Sequence, residues 1–265
     1  MTKTRVAIHG AAGRMGRRLV ALGSTDPEMQ IVAALERGGH PELGQDAGPL
    51  AGVPVLGVPL TATLDTDADV LVDFSLPAGA EAAIELCIGR HLPLVLATTG
   101  LEDAQKDQLR AAAEQIPIVW SPSMSLAVNL TMKLATIAAG ALKQVPGGAD
   151  VEIIERHHRF KKDSPSGTAL RFGELIASQM GQTRQAHGRE GVPGERPHDE
   201  IGYHAVRTGD NPGEHTILFG LLGESIELTV RASTRDCYAL GALAAARFVA
   251  RQTPGLYTMN DVLGL

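Results

Sequence analysis

The stretch RVAIHGAAGRMG, residues 5–16, decides the fold of the first half of this chain. Residues 5–9 predict a buried strand, and glycines follow at positions 10, 13 and 16 as a helical pattern begins. Glycines there allow a tight turn and let a pyrophosphate approach the N–H groups that open the helix. Glu36 stands twenty residues beyond Gly16, at the end of a second predicted strand, where a carboxylate can bond ribose hydroxyls. The spacing is GxxGxxG rather than GxGxxG, but its context predicts a dinucleotide-binding turn.

The rest of the first half alternates short apolar runs with helical patterns. Strands are predicted at residues 31–35, 70–74, 94–97 and 118–120, and helices at 14–22, 78–87 and 102–115. This alternation is typical of a parallel sheet covered by helices on both faces. Ligands bind beyond the carboxyl ends of such strands, which places Thr98-Thr99-Gly100 and Ser121-Pro122-Ser123-Met124 near the nucleotide.

The second half has a different pattern. A long Ala/Leu-rich helix is predicted over residues 125–143, and strands over 151–156, 201–207, 215–219 and 225–231. The turn-rich separations between the later runs favour neighbouring antiparallel strands, and the Gly/Pro-rich residues 187–198 predict a long loop. A last helix, 238–249, is expected to pack back on the first domain.

We therefore expect an α/β protein of two domains. Residues 1–126, joined by 236–265, are predicted to form a Rossmann-like doubly wound parallel sheet that binds a dinucleotide. Residues 127–235 are predicted to form a smaller α+β domain with a mixed, largely antiparallel sheet.

The segment EIIERHHRFKKDSPSGTAL, residues 152–170, has the composition of a catalytic site. His157 and His158 follow a predicted strand, and a basic cluster leads to Ser166-Gly167-Thr168 at the start of an apolar helix. A helix start binds anions, and histidine exchanges protons near neutral pH. A proton donor beside an anion site is therefore predicted. Because successive strand residues point to opposite sides, the sequence leaves open which histidine faces the ligand.

Composition excludes several classes of function. Aromatic residues make up 3% of the chain and the net charge is −6, so neither nucleic acid nor a membrane surface is an expected partner. Adjacent histidines without a completing ligand set predict no metal site. Cys87 and Cys237 lie in apolar helical patterns and are predicted to be buried free thiols. With no signal-peptide pattern and no apolar run of ~20 residues, a soluble cytoplasmic protein is expected.

With these motifs in view, the chain resembles the dihydrodipicolinate reductase (4-hydroxy-tetrahydrodipicolinate reductase) family along nearly its whole length. The resemblance is carried by GAAGRMG at 10–16, Glu36-Arg37, Asp73-Phe74-Ser75-x-Pro77, Thr98-Thr99-Gly100, the segment 152–170, Ile201-Gly202, RTGD at 207–210, GEHT at 213–216 and Gly223-Glu224. The HHR-x-K…D-x-PSGTAL signature is its most specific part.

The resemblance implies an NAD(P)H-dependent reduction of 4-hydroxy-tetrahydrodipicolinate to tetrahydrodipicolinate, in diaminopimelate and lysine biosynthesis. A hydride would go to ring C4 with loss of water, and no metal is implied. His157 is implied as the proton donor and acceptor and Lys161 as the catalytic lysine. The substrate-binding set comprises His158, Ser166, Gly167 and Thr168, and Arg235 is a further candidate for carboxylate contact. A homotetramer formed through the second domain's sheet, and domain closure over the substrate, are also implied.

The expected cofactor-binding residues combine the glycine turn with the ends of later strands. They are Gly10, Ala11, Ala12, Gly13, Arg14, Met15, Gly16, Glu36, Arg37, Ala97, Thr98, Thr99, Ser121, Pro122, Ser123 and Met124. Glu36 favours the free 2′-hydroxyl of NAD, whereas Arg37 can meet the 2′-phosphate of NADP, so the sequence permits either nucleotide.

Four positions depart from the family pattern. Phe160 and Val230 replace frequent histidines, Ser123 a frequent asparagine, and Ala97 a frequent glycine. These departures keep two alternatives open: a reductase of another imine or oxo dicarboxylate, and a non-catalytic dinucleotide sensor. The intact His157 and Lys161 argue against the sensor.

Overall fold

The computed structural model describes residues 2–265, and the chain forms two compact units. Unit 1 is Met1–Leu126 together with Asp236–Leu265, and unit 2 is Ala127–Arg235. The chain begins with β1 (Thr4–His9), α1 (Arg14–Thr25), β2 (Met29–Leu35), α2 (Ala47–Leu50), β3 (Leu60–Thr61), β4 (Val70–Asp73), α3 (Pro77–Arg90), β5 (Leu94–Leu96), α4 (Asp103–Ala112) and β6 (Pro117–Trp120). It continues with α5 (Leu126–Leu142), β7 (Asp150–His157), α6 (Gly167–Met180), β8 (Arg184–His187), β9 (Glu200–Arg207), β10 (Glu214–Leu221) and β11 (Glu224–Arg231). It ends with α7 (Asp236–Val249), β12 (Gly255–Tyr257) and α8 (Met259–Leu263).

Unit 1 contains a seven-stranded sheet in the order β12-β6-β5-β4-β1-β2-β3. Every neighbouring pair is parallel, which confirms the predicted doubly wound sheet. The middle residues of the central strands are apolar because each face of the sheet packs on a separate buried cluster. One cluster includes residues of α1 and α7, and the other includes residues of α3 and α4. The carboxyl ends of β1, β4, β5 and β6 therefore meet at one edge.

Unit 2 contains a five-stranded mixed sheet in the order β11-β10-β7-β9-β8. The prediction that residues 201–207 and 215–219 form neighbouring strands is wrong, because β7 lies between β9 and β10, and β9 pairs parallel with β7 and with β8. The connection from β7 to β9 contains α6, and a helical crossover returns the chain in the same direction. Only β10 pairs antiparallel, with β7 and β11. β8 was missed because RQAH is polar and exposed.

Other differences from the sequence predictions are small. The short elements α2, β3, β12 and α8 were missed, since two to five residues carry no periodic pattern. Cys87 is buried as expected, but Cys237 is only half-buried, and both thiols are free. Residues 188–199 lie outside any helix or strand, close to the predicted loop.

In unit 1, Gly241 of α7 packs directly against the backbone of the segment that follows β6. A Cβ atom at Gly241 would lie 1.7 Å from the carbonyl oxygen of Met124, so any side chain forces the backbones apart. We expect Gly241→Ala to reduce the free energy of unfolding by about 3 kcal/mol, at the upper end of overpacking costs. Thermal and urea unfolding would measure it. Gly140→Ala, in α5, is the control because its Cβ makes only an ordinary contact of 3.7 Å, and unchanged stability of Gly241→Ala would contradict the prediction.

Candidate active site

The glycine turn after β1 leaves no room for side chains. Gly10 has a φ of 76°, in the left-handed region that favours glycine. A Cβ at Gly16 would lie 2.1 Å from the carbonyl oxygen of Gly10, so α1 can pack this closely only with glycine at that position. The N–H groups of Gly10 and Ala11 both donate to the carbonyl of Leu35 at 3.0 Å, which ties the turn to β2.

The start of α1 suits a pyrophosphate. Gly13 is the N-cap and makes no side-chain capping bond, so no side chain competes for the first-turn N–H groups. Arg17 supports the turn from below: its guanidinium donates to the carbonyl of Ala12 at 2.8 Å and to both carboxylate oxygens of Glu42 at 2.7 and 2.8 Å. The residues present therefore fit a dinucleotide phosphate.

A cleft of about 360 Å³ opens beside this turn in unit 1. It brings together eight of the predicted cofactor residues, namely Arg14, Met15, Ala97, Thr98, Thr99, Pro122, Ser123 and Met124. Sequence reasoning missed three further lining residues: Phe74, Ser75 and Tyr238. Phe74 and Ser75 directly follow β4, so the strand-end rule could have found them. Tyr238 comes from α7, and no local pattern predicts that a C-terminal helix reaches the cleft.

The remaining predicted cofactor residues lie outside that lining. Glu36 and Arg37 follow β2, and a carboxylate oxygen of Glu36 accepts the N–H of Arg37 at 3.0 Å. Ser121 is buried and donates its hydroxyl to the carbonyl of Ser123 at 2.7 Å, so that hydroxyl shapes the segment.

A buried carboxylate joins two strand ends beneath the cleft. Asp73, fully buried at the end of β4, accepts the hydroxyl of Thr98 at 2.5 Å, and its other oxygen lies 2.6 Å from Nδ1 of His9. The Thr98 hydroxyl is thereby engaged with the protein. Backbone atoms at Thr98 and the side chain of Thr99 are the groups left to face a ligand.

In unit 2 the buried carboxylate of Glu155 organises the segment predicted to be catalytic. Its Oε2 lies 2.5 Å from Nδ1 of His157, and its Oε1 accepts the backbone N–H of Ser166 at 3.0 Å. Arg207 donates to both oxygens, at 2.8 and 2.7 Å. The alternating burial along β7 places Glu155 and His157 on the same, inner face. Glu155 was missed in the sequence, although its spacing of two residues from His157 was a usable signal.

These contacts set the protonation of the histidine. Burial would raise the pKa of Glu155, but Arg207 and His157 outweigh it and hold that pKa below its usual value. Since a charged carboxylate only accepts hydrogen bonds, Nδ1 of His157 carries a proton and Nε2 is the atom free to exchange one. Burial lowers the pKa of His157, partly opposed by Glu155. Its imidazolium form is therefore a stronger acid than usual.

Two neighbours were also missed by sequence reasoning. His215 lies edge-on to His157 with ring centroids 5.2 Å apart, and burial lowers its pKa to about 4, so it is neutral. Gly213 packs against the reactive side of the ring: a Cβ there would lie 2.9 Å from Nε2 of His157. A side chain at position 213 would cover the atom that exchanges the proton.

His158, Phe160 and Lys161, which follow His157 in the segment, are less buried than His157 itself. His158 is half-buried, and among residues 2–265 its Nδ1 has no hydrogen-bond partner. The ammonium of Lys161 lies 2.9 Å from the carboxylate of Asp163. Phe160 is 76% exposed, and its ring is tilted towards His158 with centroids 6.2 Å apart. Its replacement of a frequent histidine therefore alters the surface rather than the surroundings of His157.

Ser166 is the N-cap of α6, and its hydroxyl is engaged by other groups of unit 2. Ser166 is buried, and its Oγ accepts the N–H of Ala169 at 3.2 Å and lies 3.0 Å from Nε2 of His215. The role of Ser166 in substrate binding stays a prediction, with its hydroxyl engaged by these two groups. Gly167 is exposed and Thr168 half-buried, and they occupy the first two helical positions, whose N–H groups lack intrahelical partners.

Two other positions complete the predicted set. Val230 is buried and pairs across the sheet with His215, so an apolar side chain faces the neutral histidine there. Arg235 is exposed.

Within the described residues no group of three or more histidine, cysteine or acidic side chains could hold a metal ion. No helix in that part of the chain is both long and apolar enough to span a membrane.

Comparison with known proteins shows the family to which the chain belongs. The family models described as "Dihydrodipicolinate reductase, N-terminus" and "Dihydrodipicolinate reductase, C-terminus" match residues 4–124 and 127–263. A protein of Rhodopirellula baltica named 4-hydroxy-tetrahydrodipicolinate reductase is 58% identical over 98% of this chain and 96% of its own. One of the same name from Burkholderia thailandensis is 47% identical over the full length of both chains. The solved structure of a dipicolinate-bound dihydrodipicolinate reductase from Paenisporosarcina sp. TG-14 is 28% identical, with a TM-score of 0.79 over 97% of this chain and 98% of that one. With both of its halves matched and with relatives this similar along its full length, the chain belongs to the dihydrodipicolinate reductase family.

Proposed function

We propose that this protein catalyses the NAD(P)H-dependent reduction of 4-hydroxy-tetrahydrodipicolinate to tetrahydrodipicolinate in lysine and diaminopimelate biosynthesis. The observation that carries the proposal is that one carboxylate, that of Glu155, contacts both a proposed proton donor and the start of a helix that could bind an anion. Glu155 contacts both the ring of His157 and the first residue before α6, in a chain of this family. A dicarboxylate that must gain a proton fits those two features together.

The residues of unit 2 would act on the substrate as follows. The free N–H groups of Gly167 and Thr168 would bind one carboxylate, and Lys161 and His158 would supply positive charge or hydrogen bonds to the other. Loss of the 4-hydroxyl group and one C3 hydrogen as water would leave a C3=C4 double bond conjugated with the imine. After hydride addition at C4, His157, protonated at Nε2, would donate that proton to C3, the ring carbon adjacent to C4, and return to its neutral form. Nδ1 of His157 would stay protonated and bonded to Glu155 throughout. Lys161 would also steady the negative charge that develops on the ring.

The residues of unit 1 would hold the nucleotide. The bound NAD(P)H supplies the hydride to C4. The Gly10–Gly16 turn and the start of α1 would bind the pyrophosphate, and Glu36 or Arg37 the adenine ribose. The cleft lined by Ala97, Thr98 and Met124 would hold the nicotinamide.

We also propose a homo-oligomer formed through the sheet of unit 2, where Val206 is 39% exposed and Ile226 41% exposed.

A cofactor-resolved assay tests the proposed function. The purified protein is mixed with substrate freshly made by the preceding synthase, and oxidation of NADH and of NADPH is followed separately. We expect turnover with at least one of the two nucleotides. Turnover with both is expected if Glu36 binds the ribose of NADH and Arg37 binds the 2′-phosphate of NADPH. Folded protein that binds nucleotide but oxidises neither would contradict the proposal and favour the sensor alternative. Turnover only with a different imine or oxo dicarboxylate would favour the other alternative.

A further inference from the structure

Four hydrogen-bond donors converge on the carboxylate of Glu155, which is completely buried. They are the ring of His157 at 2.5 Å, the backbone N–H of Ser166 at 3.0 Å, and two guanidinium nitrogens of Arg207 at 2.8 and 2.7 Å. The donors belong to three parts of unit 2: the end of β7, the start of α6 and the end of β9. One side chain therefore sets the relative position of all three.

Arg207 extends this linkage to the loop that carries Lys161. Its Nη2 also donates to the backbone carbonyl of Asp163 at 2.7 Å. Next to it, the N–H of Thr208 donates to the carbonyl of His157 at 3.0 Å. The segment between the histidines and α6 is thus held at both ends by the same pair of side chains.

Stability alone does not account for such a pair. Burying a carboxylate and a guanidinium costs several kcal/mol of solvation, and well-packed apolar residues of similar volume often serve stability as well or better. What apolar residues cannot do is orient an imidazole and a helix start by hydrogen bonds. The bidentate geometry of Arg207 fixes the plane of the carboxylate, and hence the direction of its bond to His157.

We propose that Glu155, held by Arg207, is the positioning residue of this site, fixing the ring of His157 and the dicarboxylate-binding start of α6 together. The inference deepens the proposed function and rests on it for the role of His157. Glu155 itself transfers no proton: it keeps Nδ1 of His157 protonated, so that Nε2 is the nitrogen that exchanges a proton with the substrate.

Glu155 and Arg207 shift the pKa of His157 in opposite directions. The titratable groups that face His157 are Glu155 from its own strand, Arg207 from β9, Lys161 from the following loop and His215, which is neutral, from β10. After burial, which lowers the pKa of His157, Glu155 raises that pKa, whereas Lys161 and Arg207 lower it. Removing Glu155 should lower the pKa further, and removing Arg207 should raise it.

The test compares the pH dependence of kcat/KM in Glu155→Gln and Arg207→Met. Activity that needs protonated His157 is lost as the pH rises through its pKa. The alkaline limb should therefore move to lower pH in Glu155→Gln and to higher pH in Arg207→Met. Calorimetric titration with pyridine-2,6-dicarboxylate supplies a second readout, and both variants should bind it at least ~10-fold more weakly, because the start of α6 loses its anchor.

Glu152→Gln is the matched control. Glu152 lies on the same strand, and its carboxylate is likewise held by basic side chains. Its oxygens lie 2.7 Å from a nitrogen of Arg189, 2.8 Å from one of Arg196 and 2.6 Å from one of His204. The alternation of β7 places it on the opposite face from His157. Losing its charge should therefore lower stability without moving the pH limb or the dicarboxylate affinity.

The outcomes separate cleanly. Opposite shifts in the two variants, with Glu152→Gln unshifted, support the positioning role. Unmoved limbs and unchanged dicarboxylate affinity in folded variants would overturn it. If Glu155→Gln does not fold, the upward shift and weaker binding in Arg207→Met still decide the question. If the wild-type protein has no reductase activity, the proposed function fails separately, and the titration alone tests the positioning of α6.

Discussion

Replacing His157 by glutamine is expected to lower kcat by at least ~100-fold, the usual scale of a general-acid contribution. The amide N–H of glutamine can still donate a hydrogen bond to Glu155, so the fold should persist, but glutamine has no proton to deliver near neutral pH. Lys161→Ala should cause a loss of similar size, because the ammonium near the reacting ring is removed. Steady-state rates with saturating nucleotide measure both effects.

Controls from the same unit sharpen this comparison. His187→Gln removes a histidine that stacks on Tyr203 with centroids 5.3 Å apart, outside the cluster around Glu155. Lys162→Ala removes the exposed neighbour of Lys161. Both controls should retain nearly full activity. Near-normal rates in His157→Gln would mean that another group donates the proton, and the proposed acid would be wrong.

The second large effect is expected from Gly16→Ala, which should weaken nucleotide binding by roughly 100-fold. The added Cβ would lie 2.1 Å from the carbonyl oxygen of Gly10 and 2.6 Å from Cα of Ala11, both backbone atoms of the turn. Relieving that overlap must move the turn away from the start of α1. A cost of about 3 kcal/mol, the upper end of ordinary overpacking, corresponds to that loss in affinity. Titration with NADH and NADPH, followed by fluorescence or calorimetry, measures it.

Gly89→Ala is the control for this substitution. Gly89 lies in α3, and a Cβ there meets no atom within 4 Å. An alanine in an open helical position should leave affinity unchanged and stabilise the fold by about 0.5–1 kcal/mol. Unaltered nucleotide affinity in Gly16→Ala would show that the turn does not hold the pyrophosphate.

The sequence predicted the architecture of unit 1 well because its signals are local. Most of its strands are short apolar runs bounded by turn residues, and the glycine turn at residues 10–16 marks the edge of the sheet predicted to bind the nucleotide. The family resemblance, resting on the segment 152–170, is confirmed over both halves of the chain. The neighbour of β9 was predicted wrongly, because the turn-rich segments around β9 suggested a hairpin with β10, whereas the crossover through α6 places β9 parallel beside β7.

The parts of the site that were missed depend on long-range contacts. Arg207 reaches Glu155 from 52 positions away, and His215 reaches Ser166 from 49 positions away, so no local pattern relates them. The contact of the buried Ser166 hydroxyl with His215 could likewise not be predicted from the position of Ser166 at a helix start. Glu155 did have a local signal, as a charged residue on the inner face of β7, which Val151, Ile153 and His157 otherwise form.

The central claim is that hydride goes to C4 of a cyclic dicarboxylate while His157 protonates the adjacent carbon. Its most direct measurement is a turnover with nicotinamide nucleotide deuterated at the transferred position, and a second turnover in D₂O with unlabelled nucleotide, each product examined by NMR. We expect deuterium from the nucleotide only at C4, and deuterium from solvent only at the adjacent carbon. Nucleotide deuterium at any other ring position, or none in the product, would contradict the claim.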